Sequence, residues 1–221
     1  MGTLSIVATP IGNLEDITLR ALRTLREVDV IYAEDTRVIS KLLAKYEIRK
    51  PLHRLDAAKE TARIDEVVER LQAGENIALV SDAGTPGISD PGGRLVAGVR
   101  AAGCRIVAIP GPSALTAALS IAGLEEGDFI FMGFLPHKKG RQTKMKEVLA
   151  SKVPVVLYES PHRVVKLLEE LGERKVSIGR ELTKLYEEWL EGGAVDNSKD
   201  LSRRAAIRGE FVVIVHPELE P

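Results

Sequence analysis

The chain has 221 residues, 44% of them hydrophobic, so it can bury a core as one large domain or as two small ones. Its formal net charge of −1 gives no overall sign of a nucleic-acid-binding protein, although a local basic patch would suffice for RNA. A single cysteine, Cys104, excludes an intrachain disulfide framework, and no apolar run approaches the length that crosses a bilayer. We therefore expect a cytoplasmic protein with no signal peptide and no membrane contact.

The first half of the chain alternates strand and helix patterns. Short apolar runs bounded by glycine, proline or polar residues predict the strands, and apolar residues at helical spacing predict the helices. Strands are predicted over residues 4–8, 28–33, 77–80 and 105–109, and helices over residues 16–25, 38–46, 63–73, 95–102 and 113–122. Asp16 is the expected N-cap of the first helix, and Gly74 is expected to end the third. This alternation is typical of a parallel sheet.

The second half has strands that lie closer together along the chain, which predicts a mixed sheet. Strands are predicted over residues 129–132, 155–158, 176–180, 187–191 and 211–215, and helices over residues 138–150 and 163–171. A Pro-Gly-Pro break at residues 110–112 lies between the two halves. We therefore predict an α/β fold with two α/β domains, residues 1–112 with a mainly parallel sheet and residues 113–221 with a mixed one.

The loop over residues 81–92 follows a buried strand and precedes a helix, which in a parallel sheet is the edge where ligands bind. Its glycines and prolines either shape a binding loop or only form tight turns. It carries two carboxylates, Asp82 and Asp90, and the chain has neither of the glycine-rich motifs that bind phosphate groups. Carboxylates repel phosphate but suit hydroxyl groups and cations. A ligand with a ribose and a positive centre, such as S-adenosylmethionine, therefore fits the loop better than a dinucleotide.

Three further loops, residues 9–13, 34–37 and 110–113, should emerge at the same edge as that loop. The charged segment 34–37 is either functional or the start of a helix capped by Asp35 or Thr36. A similar charged segment, 159–163, follows a strand of the second half. The four histidines are scattered without metal-ligand spacing, so no metal site is predicted.

One concentrated basic patch, residues 137–141, continues through Lys144 and Lys146. It is either a solvated helix face or a surface that contacts RNA phosphates.

Together, these segments resemble the tetrapyrrole methylase superfamily of S-adenosylmethionine-dependent enzymes. The similarity is greatest to its branch of small-subunit ribosomal RNA cytidine 2′-O-methyltransferases. The segments that carry the resemblance, in chain order, are residues 9–17, 33–37, 81–92, 110–114, 133–136, 158–163, 180–184 and 209–211. The chain departs from the branch at residues 56–60, which read Asp-Ala-Ala-Lys-Glu where relatives carry a His- and Asn-rich stretch; Glu60 alone keeps the pattern.

The resemblance implies a class III S-adenosylmethionine methyltransferase fold, a homodimer, and a methyl donor in the cleft between the two domains. The donor contacts it implies are Pro10, Asp82, Gly84, Thr85, Ser113, Ala114, Glu159 and Leu182. It also implies a cytidine of 16S ribosomal RNA in the small subunit as the substrate and its ribose 2′-oxygen as the methylated atom.

A ribose hydroxyl is a weak nucleophile, so a base is expected to take its proton as the new bond forms. The candidate bases are the strand-end carboxylates Glu34, Asp35 and Glu159. The basic residues expected to bind RNA phosphates are Arg37, Lys138, Lys139, Arg141 and Arg163. Two other functions stay open: a methyltransferase acting on a corrin or another tetrapyrrole precursor, and a non-catalytic ribosome-assembly factor that retains the donor pocket.

Overall fold

The computed structural model describes residues 1–57, 60–124 and 127–218. The chain divides into two compact units, Met1–Ser113 and Ala114–Pro221. No helix in the described ranges is long and apolar enough to cross a membrane.

The first unit is a five-stranded sheet with helices on both faces. Its strands are β1 (Thr3–Val7), β2 (Val30–Ala33), β3 (Leu52–Arg54), β4 (Ile77–Val80) and β5 (Arg105–Ile109), and its helices are α1 (Leu19–Glu27), α2 (Thr36–Lys45), α3 (Ile64–Gln72) and α4 (Gly93–Ala101). The order across the sheet is β3-β2-β4-β1-β5, and every pairing is parallel. Helices α1 and α2 pack on one face and α3 and α4 on the other. The predicted parallel sheet is confirmed.

The packing explains why the central strands read as continuous apolar runs. All residues of β2 and β4 are buried, because each face of the sheet is covered by helices. Along β2, Ile31 and Ala33 point into the core beneath α1 and α2, while Val30 and Tyr32 point into the core beneath α3 and α4. Both side-chain sets are therefore withdrawn from water.

Two details of the first unit differ from the prediction. The N-cap of helix α1 is Thr18, whose hydroxyl accepts a hydrogen bond from the Ala21 backbone N–H at 3.0 Å, and not Asp16. Asp16 instead ends a short 3₁₀ turn that Asn13 caps. Strand β3 was not predicted, because it has only three residues and none of them is fully buried.

The second unit also contains a five-stranded sheet. Its strands are β6 (Ile130–Phe134), β7 (Val155–Glu159), β8 (Lys175–Arg180), β9 (Glu188–Gly193) and β10 (Phe211–Val215), and its helices are α5 (Ala114–Ile121), α6 (Arg141–Ala150), α7 (Val164–Leu171) and α8 (Ala194–Arg203). The order is β6-β7-β10-β8-β9; β6 and β7 are parallel, and the other pairings are antiparallel. The predicted mixed sheet is confirmed.

Helix α8 was not predicted, since its buried face is not an apolar stripe. That face is Ala194, Asn197, Ser198 and Leu201, of which two are polar. The Asn197 side-chain amide donates to the Gly193 carbonyl at 3.0 Å, so the buried polar group is satisfied. Helix α6 begins at Arg141 and not at residue 138, because Gly140 before it has a left-handed backbone with φ 85°.

Candidate functional site

Loops that follow three strands of the first sheet meet at its carboxyl edge. The Thr9 N–H donates to the Gly84 carbonyl at 2.8 Å, and the Gly84 N–H donates back to the Thr9 carbonyl at 3.0 Å. The Thr85 hydroxyl lies 3.5 Å from the Pro112 carbonyl of the loop after β5. Pro10, next to Thr9, is buried. Three of the predicted donor-binding residues, Pro10, Gly84 and Thr85, therefore lie in one region. Asp82 belongs to the same loop as Gly84 and Thr85.

The loop after β4 has a shaped backbone. Gly84 has φ 80°, and a Cβ atom there would meet only ordinary contacts, so the glycine is needed for its conformation and not for space. Gly92 has φ 132°, and a Cβ atom there would lie 2.9 Å from Leu79 Cδ2. Ser89 adopts φ 63°, a conformation that non-glycine residues seldom have. The loop is therefore constrained at its start, middle and end.

Glu60 fixes the far end of this loop. Its side chain is buried, and Oε1 accepts hydrogen bonds from the backbone N–H groups of Gly92 (3.1 Å), Arg94 (2.6 Å) and Leu95 (3.0 Å). These groups form the N-terminus of α4, where a phosphate would otherwise be bound most readily. The carboxylate already supplies the negative charge there, which agrees with the prediction that the loop does not bind phosphate. The sequence pattern singled out Glu60 but not this contact; its neighbours Ala58 and Lys59 lie outside the described residues.

Asp82 links this loop to the end of β2. Its Oδ1 atom accepts a hydrogen bond from the Asp35 backbone N–H at 2.9 Å. The Asp82 side chain is exposed, and the described residues donate no hydrogen bond to its second oxygen. One oxygen of this carboxylate therefore positions the neighbouring loop, and the other has no hydrogen-bond donor among the described residues.

Asp35 is occupied as a helix cap. Its carboxylate accepts hydrogen bonds from the backbone N–H of Arg37 at 2.9 Å and from the Arg37 Nε at 3.0 Å. The Arg37 side-chain hydrogen bonds lower the pKa of Asp35 to about 2. This carboxylate is a poor proton acceptor near neutral pH, so the structure does not favour Asp35 as the base.

Glu34 has the opposite environment. It is half-buried at the end of β2, and no described residue donates a hydrogen bond to its carboxylate. Burial raises the pKa of Glu34, and the nearby negative charges of Asp82 and Asp56 raise it further, against the opposing charge of Arg54. The edge of the first sheet thus contains a carboxylate whose charge is poorly compensated.

In the second unit, Glu159 and Arg163 neutralise one another. The Glu159 side chain is fully buried, and Arg163 Nη2 lies 2.9 Å from its Oε2. Arg163 also donates to the Leu135 carbonyl at 2.6 Å and lies 2.9 Å from the Nε2 of His137. The expectations that the Glu159 carboxylate is a base and that Arg163 binds phosphate are not supported. The two side chains pair with each other, and Arg163 also bonds to the loop between β6 and α6.

Arg141 also requires a correction as a predicted RNA contact. It is buried, pairs with Glu170 at 2.7 Å and donates to the Pro136 carbonyl at 3.2 Å. Its charge therefore fixes the start of α6 and is not presented to solvent. Lys138 and Lys139, which precede the helix, are exposed.

The remaining predicted donor contacts lie at other points of the chain. Ser113 is the last residue of the first unit, and Ala114 is the first residue of α5. Leu182 is buried and packs against the backbone of Gly179, where an added Cβ would lie 2.9 Å from Leu182 Cδ1.

A basic stripe on α2 was missed at the level of sequence. Arg37, Lys41 and Lys45 are exposed and recur every four residues, so they line one face of the helix. The spacing was readable from the sequence, but only Arg37 was singled out. The stripe begins beside the edge that carries Glu34 and Asp82.

Comparison with known proteins extends these observations. Residues 3–194 match the model of the tetrapyrrole (corrin/porphyrin) methylases. The chain is 45% identical over 219 residues to ribosomal RNA small subunit methyltransferase I of Thermotoga maritima, across 97% of this chain and 98% of that protein.

Two solved structures have a similar fold. Diphthine synthase matches with a TM-score of 0.76 and 16% identity, across 100% of this chain and 92% of that one. Uroporphyrin-III C-methyltransferase of Thermus thermophilus, complexed with S-adenosylhomocysteine, matches with a TM-score of 0.68 and 16% identity, across 96% of this chain and 97% of that one. These likenesses confirm the predicted fold class.

Proposed function

The chain belongs to the tetrapyrrole methylase family, and from this premise we propose that it is an S-adenosylmethionine-dependent methyltransferase of small-subunit ribosomal RNA. Its substrate is the ribose 2′-oxygen of a cytidine in 16S ribosomal RNA. The observation that carries the proposal is the edge of the first sheet, where a constrained loop presents carboxylates and the helix N-terminus is already filled by Glu60. The high identity to a ribosomal RNA methyltransferase across nearly the whole chain supports the substrate class.

The methyl donor is a substrate that carries ribose hydroxyls and a positively charged sulfonium with a transferable methyl group. Asp82 accepts hydrogen bonds from hydroxyl groups and attracts the positive charge, and the backbone around Pro10, Gly84 and Thr85 forms the wall beside it. These residues fit such a ligand because the loop offers acceptors and negative charge. Ser113, Ala114, Glu159 and Leu182 stay predicted donor contacts, as do the homodimer and the cytoplasmic location.

RNA binding rests on exposed cations. Lys138 and Lys139 of the second unit keep their predicted role, and Arg37, Lys41 and Lys45 are proposed as separate phosphate contacts in the first unit. Each cation that contacts a phosphate releases counterions, so binding should weaken steeply with salt.

The test is methyl transfer from a labelled donor to small subunits that lack the modification. We expect label in 16S ribosomal RNA, and nuclease digestion should place it on the ribose of a single cytidine. Label on a base would contradict the 2′-oxygen, and transfer only to a tetrapyrrole would favour the alternative substrate. Donor binding without transfer would indicate an assembly factor, and absence of donor binding would remove both the proposed function and that alternative.

A paired variant tests the RNA surface in the same assay. Lys138→Ala with Lys139→Ala should lower RNA affinity and reduce the slope of log affinity against log salt by about 2. Lys175→Ala with Lys199→Ala, which removes two exposed charges from the same unit, is the matched control. An equal loss in both pairs would mean that only total charge matters.

A further inference from the structure

The proposed reaction needs a group that takes the proton of the ribose hydroxyl, and the strand-end carboxylates differ in their ability to do so. Asp35 is paired with Arg37, and Glu159 is buried against Arg163. Asp56 is paired with Arg54 at 3.1 Å. Asp82 is placed to bind the donor. The carboxylates that already have a cation partner are therefore the ones least able to accept a proton.

Glu34 lies beside the loop that is proposed to bind the donor. It directly follows Ala33, which pairs with Val80 at the end of β4, so Glu34 stands beside the start of the donor loop. The hydrogen bond from the Asp35 N–H to Asp82 fixes the end of β2 against that loop at 2.9 Å. The loop is in turn bonded to the end of β1 through Thr9 and Gly84. A continuous set of backbone contacts thus positions Glu34 relative to the donor loop.

We propose that Glu34 is the general base that accepts the proton of the ribose 2′-hydroxyl, an inference that rests on the proposed function. The ribose oxygen forms a bond to the methyl carbon while the bond from that carbon to sulfur breaks. Sulfur keeps the electron pair of the broken bond and leaves as a neutral thioether. The hydroxyl proton passes to the Glu34 carboxylate, so the negative charge of Glu34 and the positive charge of the sulfonium disappear together.

The surroundings of Glu34 suit this task. Asp82 and Asp35 on the loops after β4 and β2, together with Asp56 and Arg54 near β3, are the charged groups that act on it. Their net effect, added to burial, raises its pKa above the ordinary value of a glutamate. A general base works best when its pKa approaches the working pH, because it then takes up a proton more readily while remaining mostly ionised.

The test compares wild-type protein with Glu34→Gln and Glu34→Asp in single-turnover methyl transfer. Glutamine keeps the shape and cannot accept the proton, so the rate should fall about 100-fold, the size typical of a lost general base. The affinities for the donor and for RNA should change less than about twofold. Aspartate restores a carboxylate and should recover part of the rate. Glu27→Gln, an exposed carboxylate at the end of α1, is the control and should react at the wild-type rate.

The pH profile separates a base from a residue that only supports the fold. The wild-type rate should rise with pH until Glu34 is ionised and then level off, while Glu34→Gln should lose that rise. A Glu34→Gln rate within threefold of wild type, or an unchanged profile, would overturn the inference and leave the proposed function intact. Loss of donor affinity equal to the loss of rate would make Glu34 a binding residue. An inactive wild-type protein would remove the proposed function and, with it, the reaction that Glu34 serves.

Discussion

One carboxylate in each unit, Glu34 in the first and Glu188 in the second, shows how opposite the surroundings of such a group can be. Glu34, at the edge of the first sheet, is half-buried. Burial raises its pKa, and the negative charges of neighbouring acids raise it further. Glu188, in β9, lies 2.7 Å from an Arg204 guanidinium nitrogen and 3.1 Å from one of Arg180. Hydrogen bonds from Arg204 hold the pKa of Glu188 below its usual value, with Arg180 adding to the effect. Where a carboxylate is neutralised it supports the fold, and where it is not its charge is available for chemistry.

The largest expected effect is on Glu60, a buried carboxylate of the first unit that accepts three backbone hydrogen bonds. Glu60→Ala would leave the N–H groups of Gly92, Arg94 and Leu95 without their acceptor. Of these residues, Gly92 and Leu95 are buried. We expect unfolding to cost about 3 kcal/mol less than in wild type, as measured by denaturant titration. Glu69→Ala, at an exposed site on α3, should change stability by less than about 0.5 kcal/mol. Equal effects of the two variants would show that the Glu60 contacts contribute nothing.

The next effect is on donor affinity. Asp82→Asn keeps an oxygen for the Asp35 N–H but removes the charge, so the donor should bind about tenfold more weakly, or 1.4 kcal/mol. Calorimetry with the donor measures the change, and the melting temperature should stay nearly constant. Asp65→Asn, exposed in the first turn of α3, is the control. Unchanged affinity with lowered stability would mean that Asp82 only shapes a turn.

A smaller effect is expected at the neutralised carboxylate of the second unit. Glu188→Gln should destabilise the protein by about 1 kcal/mol at pH 7, since the ion pairs are partly exposed and screened by solvent. Because the folded-state pKa is lowered, this stability is present above the unfolded value of about 4.3 and is lost as pH falls through the folded value. Denaturant titrations at pH 7 and pH 3 should show the difference shrinking, with Glu169→Gln as the control. A constant difference would contradict the ion-pair origin.

The smallest expected effect has the opposite sign. The pKa of Glu34 is raised, so its stability contribution is full below the unfolded value of about 4.3 and is lost as pH rises through the folded value. Glu34→Gln should therefore melt at a higher temperature than wild type at pH 8 and at the same temperature at pH 4. A variant that is less stable at pH 8 would break the contrast with Glu188. If Glu34→Gln gains stability and loses methyl-transfer rate, the wild-type residue serves the reaction at a cost to stability.

Patterns that repeat locally were predicted well from the sequence. The run at residues 77–80 coincides with β4, because a parallel strand buried on both faces is short and continuously apolar. The run at residues 105–109 coincides with β5, although this edge strand buries only Ile109. Helix α8 was not predicted, because half of its buried face is polar. The N-cap of α1 was predicted two residues too early, because a short 3₁₀ turn precedes the helix.

The partners of individual charged side chains could not be predicted in the same way. The sequence supplied Glu34, Asp35 and Glu159 as equal candidates, since each is a carboxylate just past a strand. Their partners separate them: an arginine two residues away for Asp35, an arginine four residues away for Glu159, and acids from other loops for Glu34. Charge periodicity does not reveal which of these contacts forms, because packing decides it.

The contact of Glu60 with α4 has a consequence for the order in which the first unit folds. Gly92, at the N-cap position of α4, has no side chain to cap the helix, so the cap comes from a residue 32 positions earlier. Closing a loop of that length costs entropy before the contact gives any return. The first turn of α4 should therefore become stable only after the segment that follows β3 has docked, which makes α4 a late helix although its own residues are contiguous.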